Sequence, residues 1–475
     1  MTFVRRLTTV GMIVVMVGCS GGTPNDPIAN ESTASPSGVT DTSSAPPTTL
    51  PLPPLPGGLR YCGYIPGATT TPEHADVEPF SAPTPEMPAN TAVSAETTAR
   101  QLAVLDELSA VVPETYIDPL LNGNDWPATV QRYRDVVTLG LTDADFNIAL
   151  DGLISELGDG HSHIESPAEV AESAEQLAGD ADYVGIGVFV QPIFEVGGSS
   201  IIVVFPGSPA ERAGLRAHDT LLAVDGQPAI GVPGEPYVNP FRGPEGTTIS
   251  IAVSHPGGAT ETVEVTRGRV EDSKAIDLCV VPGTRILYVL LPGLSDSTLA
   301  GHIESALTAL ADGGPLDGVV VDNRLNHGGS SSVLEPILSL FAGGDLGEFR
   351  DRHDTRSLTV EPNDVNGSQT VPMVVLVGAN TVSYGEVMAG VLQAQGRAIV
   401  IGSTTRGNVE TLNAFDLDDG SRLWLAAETF EAAGATYGPW EETGIIPDFV
   451  VSTRWDLFDE TNDPALAAAV AILIA

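Results

Sequence analysis

Apolar residues recur at helical spacing in two early stretches. ETTARQLAVLDELSAVV (96–112) carries Leu102, Leu105 and Leu108, and DADFNIALDGLISEL (143–157) carries Phe146, Leu150, Leu153 and Leu157. Asp143 is placed to cap the second helix. The pattern then changes to short β-like runs: YVGIGVFV, SSIIVVF, TISIAVSH and ETVEVTRGRV, with one brief helix at PAERAGL and a hairpin at VDGQ. From about Thr284 strands and helices alternate: RILYVLLPG, LAGHIESALTALADG, GVVVDNRLNHGG, SVLEPILSLF, MVVLVGAN, GEVMAGVLQAQ and AIVIGS. Such alternation predicts an α/β layer structure. The closing DPALAAAVAILIA predicts a helix capped by Asp463 with Pro464 in its first turn, too short to span a bilayer and so packed on the core.

The N-terminal end of the chain lacks such periodicity. MTFVRRLTTVGMIVVMVGCSGG has two arginines, a short apolar run and small residues before Cys19, the pattern of a secretory signal. Its VMVGC ending resembles a bacterial lipobox, which implies lipidation of Cys19 after removal of residues 1–18; a plain signal peptide with a chance cysteine is the alternative. Residues 19–58 are rich in Thr, Ser and Pro with few large apolar side chains, and read as a tether. Residues 59–182 are assigned to an N-terminal helical subdomain, 183–268 to a β-domain and 269–475 to the α/β core. The fold class expected is therefore a multidomain α+β protein.

Length and charge narrow the picture. At 475 residues the chain has ample material for several domains. Its 21 Lys and Arg against 62 Asp and Glu give a net charge of −41, spread along the chain, which argues against nucleic-acid or anionic-lipid partners. Of three cysteines, lipidation accounts for Cys19. Cys62 and Cys279 remain as an even pair in an oxidising compartment, either a disulfide or two separate buried thiols. No metal-ligand spacing or phosphate-binding loop stands out, and no cofactor is expected.

The candidate chemistry begins with NTVSYGEVMAG (380–390), where Ser383 falls at a strand-to-helix turn. Backbone N–H groups and the positive end of the helix dipole favour an oxyanion there, so Ser383 is a candidate nucleophile. A serine that merely caps the helix is the alternative. Glu386, three residues on, fits a capping box.

Residues 183–268 resemble a PDZ domain. The GIGV loop (Gly185, Ile186, Gly187, Val188) then implies a site where backbone N–H groups receive a peptide's terminal carboxylate, with the peptide added along a sheet edge. In order, the helical subdomain, GDGHS, the PDZ, DNRLNHGG, NTVSYGE, TRGN and ETGIIPD resemble the C-terminal processing (tail-specific) peptidases and the tricorn protease core. That resemblance implies a crotonase-like spiral core, Ser383 as nucleophile, and Gly328 and Tyr384 N–H groups as the oxyanion hole. Where the Ser/Lys branch carries its base, this chain has Asn408, and an amide cannot accept a proton. Its one lysine, Lys274, lies elsewhere.

The tricorn branch implies instead a histidine ahead of the PDZ, matched by His161, and a glutamate shortly before the GIIPD stretch, matched by Glu441. Gly160 replaces a serine of the family pattern. A neutral imidazole takes a serine proton near its ordinary pKa of about 6.5 while a carboxylate steadies the imidazolium, so activity is expected to rise near pH ~6 to 7. His163 and Glu442 are the neighbouring alternatives, and His327 is placed to touch substrate or lie on the surface. The expectation is a secreted, lipid-anchored, extracytoplasmic serine endopeptidase whose partner is a polypeptide, gripped by its C-terminus or gated by the PDZ. The rival is an inactive peptide- or ligand-binding lipoprotein on the same core.

Overall fold

The computed structural model describes residues 52–68, 91–171, 183–193, 196–230, 239–258, 260–270, 276–434 and 439–475. Cys19, the expected signal peptide and most of the tether lie outside the described residues. Among the described residues no helix is long and apolar enough to cross a membrane.

A short strand β1 (Arg60–Tyr61) precedes three helices, α1 (Ala95–Thr115), α2 (Trp126–Thr138) and α3 (Asp143–Ser155), and strand β2 (His163–Glu165). Ser94 caps α1 by accepting from Thr97 N. The cap of α3 is Thr142, whose hydroxyl accepts from Asp145 N, so Asp143 is the first helical residue rather than the cap expected from sequence. Helix α2 was not expected. Its buried face is Trp126, Thr129, Val130, Tyr133 and Val137, a helical period carried by aromatic and β-branched side chains instead of leucines.

The middle of the chain is a β unit. It comprises β3 (Tyr183–Gly185), β4 (Val188–Ile193), β5 (Gly198–Val204), a single-turn helix α4 (Pro209–Arg212), β6 (Thr220–Val224), β7 (Gln227–Pro228), β8 (Thr248–Ser254), β9 (Thr260–Thr266) and β10 (Gly268–Val270). Its main sheet runs β4-β5-β6-β8-β9, and β3 pairs antiparallel with β10, which closes the base of the unit. Ile186, Ile201, Ala210, Leu221, Ile249, Ile251 and Val253 form its own core. Within that sheet β4 is an end strand.

The α/β core comprises β11 (Asp277–Val280), β12 (Ile286–Leu290), α5 (Leu299–Ala309), β13 (Gly318–Asp322), α6 (Ser331–Phe341), β14 (Gly344–Arg350), β15 (Thr355–Val360), β16 (Met373–Val377), α7 (Tyr384–Ala394), β17 (Ile399–Gly402), β18 (Thr411–Asp416), β19 (Arg422–Ala432), α8 (Trp440–Thr443), β20 (Phe449–Val450) and α9 (Pro464–Leu473). Its sheet has the order β1-β11-β12-β13-β16-β17-β20, parallel from β12 onward. Strands β12, β13 and β16 are buried at every position, which is why they read as continuous apolar runs rather than alternating ones. A disulfide joins Cys62 to Cys279 and fastens β1 to this sheet. Asp463 caps α9 through Ala465 N and Leu466 N.

A second sheet, β15-β14-β19-β18, brings the early helices to the core. Strand β2 pairs antiparallel with β19, setting His163 opposite Trp424. Leu423, Leu425 and Ala426 of β19, with Leu417 in the turn after β18, share one apolar cluster with α1, α2 and α3. Burial of that cluster holds the 159–162 loop against the core although the β unit intervenes in sequence.

Candidate active site

Ser383 stands between β16 and α7 with φ 55° and ψ −129°, one of six non-glycine residues with positive φ among the described residues. Such a conformation costs on the order of 1–3 kcal/mol for a residue with a Cβ, and it persists because the surroundings hold it. Ser383 N donates to Asn408 O at 2.7 Å, and Val382 N donates to Asn326 O at 2.9 Å. The Ser383 hydroxyl makes no capping bond to α7 and is 5% exposed in residue terms. The capping alternative is therefore not what this serine does.

Glu386 does not close a capping box. Its carboxylate accepts from Thr405 Oγ1, from Gly407 N at 2.7 Å and from Asn408 N at 2.8 Å, and so holds the 405–408 loop against α7. Burial pushes its pKa up, and the three donors pull it back down. Asn408, the residue where the family pattern has lysine, is buried, with Oδ1 unpartnered among the described residues.

The imidazole comes from the other side of the chain. His161 is 3% exposed, and its Nε2 lies 3.0 Å from Glu441 Oε1. The Asp159 carboxylate fixes the loop by accepting from His161 N, Ser162 N and Ser162 Oγ, while Ser162 Oγ accepts from Ala426 N. Gly160 has φ +68°, a conformation in which the serine of the family pattern would be strained. The second oxygen of Glu441 accepts from Val409 N at 2.7 Å and Glu410 N at 3.0 Å. A continuous path thus runs from His161 through Glu441 to the 408–410 backbone and from Asn408 O to Ser383 N. No hydrogen bond joins His161 to Ser383 directly among the described residues, and Nδ1 is the ring nitrogen without a partner.

The alternatives fall elsewhere. His163 turns its Nδ1 to His161 O at 2.9 Å and stacks on Trp424 at 6.3 Å. Glu442 is exposed. His327 stacks on Phe189 of the β unit at 6.3 Å, and burial lowers its pKa.

Gly328 packs directly on the serine. A Cβ built there would meet Ser383 Cβ at 2.7 Å and Tyr384 N at 3.3 Å. Its N–H, however, is not free: it donates to Asn326 Oδ1 at 2.9 Å, an Asx-type closure of the 326–328 turn. The expectation of Gly328 as a ready oxyanion donor is corrected to that extent. Tyr384 N, the first N–H of α7, makes no backbone bond among the described residues.

Glu410 was missed in the sequence. It sits beside His161 and Glu441, with one ligand atom of each of the three within 4.8 Å of the others. Burial, then Glu441, Asp159 and Asp118, push its pKa up to about 8.

In the GIGV loop the carbonyls of Ile186 and Gly187 accept from Ala210 N at 2.7 Å and Phe205 N at 3.0 Å, which fixes the peptide planes of the turn. Gly187 has φ +83°, and a Cβ there would lie 2.3 Å from Ser208 Cβ. Gly185 pairs with Gly268, and Val188 with Val204. The unit contacts the core through Gln191 Nε2, which donates to Leu325 O at 2.7 Å in the loop that leads to Gly328. A second contact is His218, which faces Trp455 O at 2.8 Å and stacks on its ring at 3.9 Å.

A buried turn serine beside a helix start, and an imidazole–carboxylate contact reached from the other side of a parallel α/β sheet, are parts from which a serine-hydrolase core can be built. Comparison with known proteins makes this specific. Residues 285–451 match the model of peptidase family S41, and residues 201–253, ahead of them, match that of the PDZ domain. It is 29% identical over 350 residues to a carboxyl-terminal-processing protease of Picosynechococcus, spanning 72% of this chain and 80% of that one. It is 26% identical over 364 residues to the chloroplastic carboxyl-terminal-processing peptidase 3 of Arabidopsis thaliana, spanning 74% and 68%. Among solved structures it shares its fold with a photosystem II D1 C-terminal processing protease, at TM-score 0.54 and 24% identity over 81% of this chain and 98% of the other. The family S41 match supports a serine-type peptidase hydrolase.

Proposed function

We propose that the protein is an extracytoplasmic, lipid-anchored serine endopeptidase that uses His161 and Glu441 in place of the lysine of the Ser/Lys branch. The observation that carries this reading is the 3.0 Å contact between His161 Nε2 and Glu441 Oε1, two residues 280 positions apart, beside a backbone that also holds Ser383. Glu441 accepts a hydrogen bond from Nε2–H, which leaves the Nδ1 lone pair to take the proton of Ser383 Oγ as that oxygen attacks a peptide carbonyl. The negative oxygen of the tetrahedral intermediate bonds to Tyr384 N–H, and to Gly328 N–H once it exchanges Asn326 Oδ1 for the substrate. The imidazolium then protonates the leaving amine, and water, activated by the same ring, hydrolyses the acyl-enzyme. A polypeptide in extended form suits both the cleft and the end strand β4, along which a peptide C-terminus adds as a further strand below the GIGV turn.

A ligand-binding lipoprotein without hydrolysis is the second reading. It is favoured by the Gly328 N–H already bonded to Asn326 and by the lack of a direct His161–Ser383 hydrogen bond among the described residues. Unliganded peptidases also hold these groups loosely, so the two readings divide on turnover rather than on geometry. The test is incubation of the purified chain with an unfolded polypeptide and mass spectrometry of new termini. Cleavage that vanishes in Ser383→Ala and in His161→Ala supports the peptidase; intact substrate with tight binding supports the second reading. For the anchor, Cys19→Ala is expected to move the protein from the membrane fraction to the soluble one, and an unchanged distribution would refute it.

A further inference from the structure

Glu410 has no part in the mechanism above. It is half-buried on the turn leading into β18, and its carboxylate accepts no hydrogen bond from any described residue. The charges acting on it are all negative: Glu441, Asp159 and Asp118. A carboxyl in such surroundings ionises readily only beside a cation. Beside it stands His161, 3% exposed, whose Nε2 already faces Glu441 Oε1 at 3.0 Å. Among the described residues this is the one group of three or more His, Cys, Asp or Glu whose ligand atoms converge to within 4.8 Å.

We propose that His161, Glu410 and Glu441 form a binding site for a divalent transition metal of the zinc type, and that filling it shuts off the active site by taking the imidazole lone pair. The shut-off rests on the reading of His161 as the base; the metal site does not. One imidazole nitrogen with two carboxylate oxygens is a zinc donor set, whereas calcium and magnesium prefer oxygen throughout. Zinc bonds of about 2.0–2.2 Å at tetrahedral angles place ligand atoms roughly 3.3 Å apart. His161 and Glu441 already stand 3.0 Å apart, and Glu410 closes the remainder by side-chain rotation. Binding displaces the proton of the Glu410 carboxyl to solvent, and the two carboxylates then balance the charge of the ion.

Neutral imidazole has one lone pair. With that pair on the metal, the other ring nitrogen carries the ring's proton and cannot accept the proton of Ser383. The three ligands come from the loop before β2, the turn into β18 and helix α8, so no local spacing announced them in the sequence.

The test is zinc titration of the full chain in competition with a chromophoric chelator, read alongside labelling of Ser383 by a fluorophosphonate. One site is expected, insensitive to magnesium and weakened at least about tenfold in Glu410→Gln. Labelling falls as the wild-type site fills, returns with EDTA, and persists at the same zinc concentration in Glu410→Gln. Equal zinc affinity in Glu410→Gln overturns the site, and labelling unaffected by a filled site overturns the shut-off. Should Glu410→Gln fail to fold, Glu410→Asp withdraws the carboxylate by one methylene and is judged by the same comparison. Zinc bound through Glu410 in a protein whose Ser383 never labels would leave the metal site standing and sink both the hydrolase reading and the shut-off. Labelling without zinc binding would sink the metal site and leave the hydrolase reading.

Discussion

Arg324, on the loop that leads to Gly328, and His161, at the entry to β2, are both buried, yet their charges are settled in different ways. The guanidinium of Arg324 lies between Asp322 and Asp463, with Nε 2.9 Å from Asp322 Oδ1 and Nη1 3.1 Å from Asp463 Oδ1. Tyr288 OH donates to Asp322 Oδ2 at 2.6 Å, and Asp463 also receives the first N–H groups of α9. Every carboxylate oxygen there has a donor, and the Trp455 and Phe458 rings cover the cation at 5.1 and 5.2 Å. Around His161 the acids outnumber the donors: Glu441 is satisfied, and Glu410 is not. The first cluster is built to stay as it is, whereas the second retains a free lone pair and an unpaired carboxyl, the condition for moving a proton or taking up a ligand.

The comparison breaks first at the reactive end. Ser383→Ala and His161→Ala are each expected to lower peptide hydrolysis by on the order of 10⁴ to 10⁶, with circular dichroism and melting close to wild type. A matching loss of fold would instead make His161 a structural residue like Arg324. Next in size, Arg324→Met should destabilise the protein by about 3–5 kcal/mol in denaturant titration, because two buried carboxylates lose their partner. A loss below about 1 kcal/mol would show that the cluster is not holding the fold.

Gly328→Ala is expected to fold but to lose about 100-fold in rate, since the new Cβ meets Ser383 Cβ at 2.7 Å and φ there is +89°. Wild-type rates in that variant would release Gly328 from the site. The smallest effect concerns the PDZ contact. Burial lowers the pKa of His218 from 6.5 to about 4. A depressed base contributes stability that is present above its unfolded pKa and is lost as pH falls toward the folded one. Acidification from pH 7 to 5 should therefore cost roughly 2 kcal/mol through this residue, read by melting curves, and His218→Gln should flatten that loss.

Much of the fold was legible because its strands and helices follow simple periods. The runs at 286–290, 318–322 and 373–377 could only be strands buried on both faces, and the closing helix carries its cap in DP. Helix α2 was lost because Trp126, Val130, Tyr133 and Val137 keep the period without the leucines that mark it elsewhere. At the site, the placement of Ser383 at a turn followed from the apolar run before it. That His161, ahead of the PDZ, lies against Glu441 and the 408–410 backbone did not follow from local pattern; it needed the family resemblance, and the apolar contact of the early helices with β19 brings it there.

Side-chain choices within the site were beyond sequence reasoning. Glu386 was expected at its own helix cap and instead holds the 405–408 loop, because three donors converge there from a segment distant in sequence. The N–H of Gly328 goes to Asn326 for the opposite reason: its acceptor lies only two residues back in the same turn.

The most direct test of the account is the rate at which a fluorophosphonate labels Ser383, measured across pH 5 to 9 in the wild type and in His161→Gln. The expected result is a wild-type rate that rises through a single ionisation to a plateau, and a His161→Gln rate at least about 1,000-fold lower with that ionisation gone. Labelling of His161→Gln at the wild-type rate and with the wild-type pH dependence would contradict it, and the base would have to be sought elsewhere.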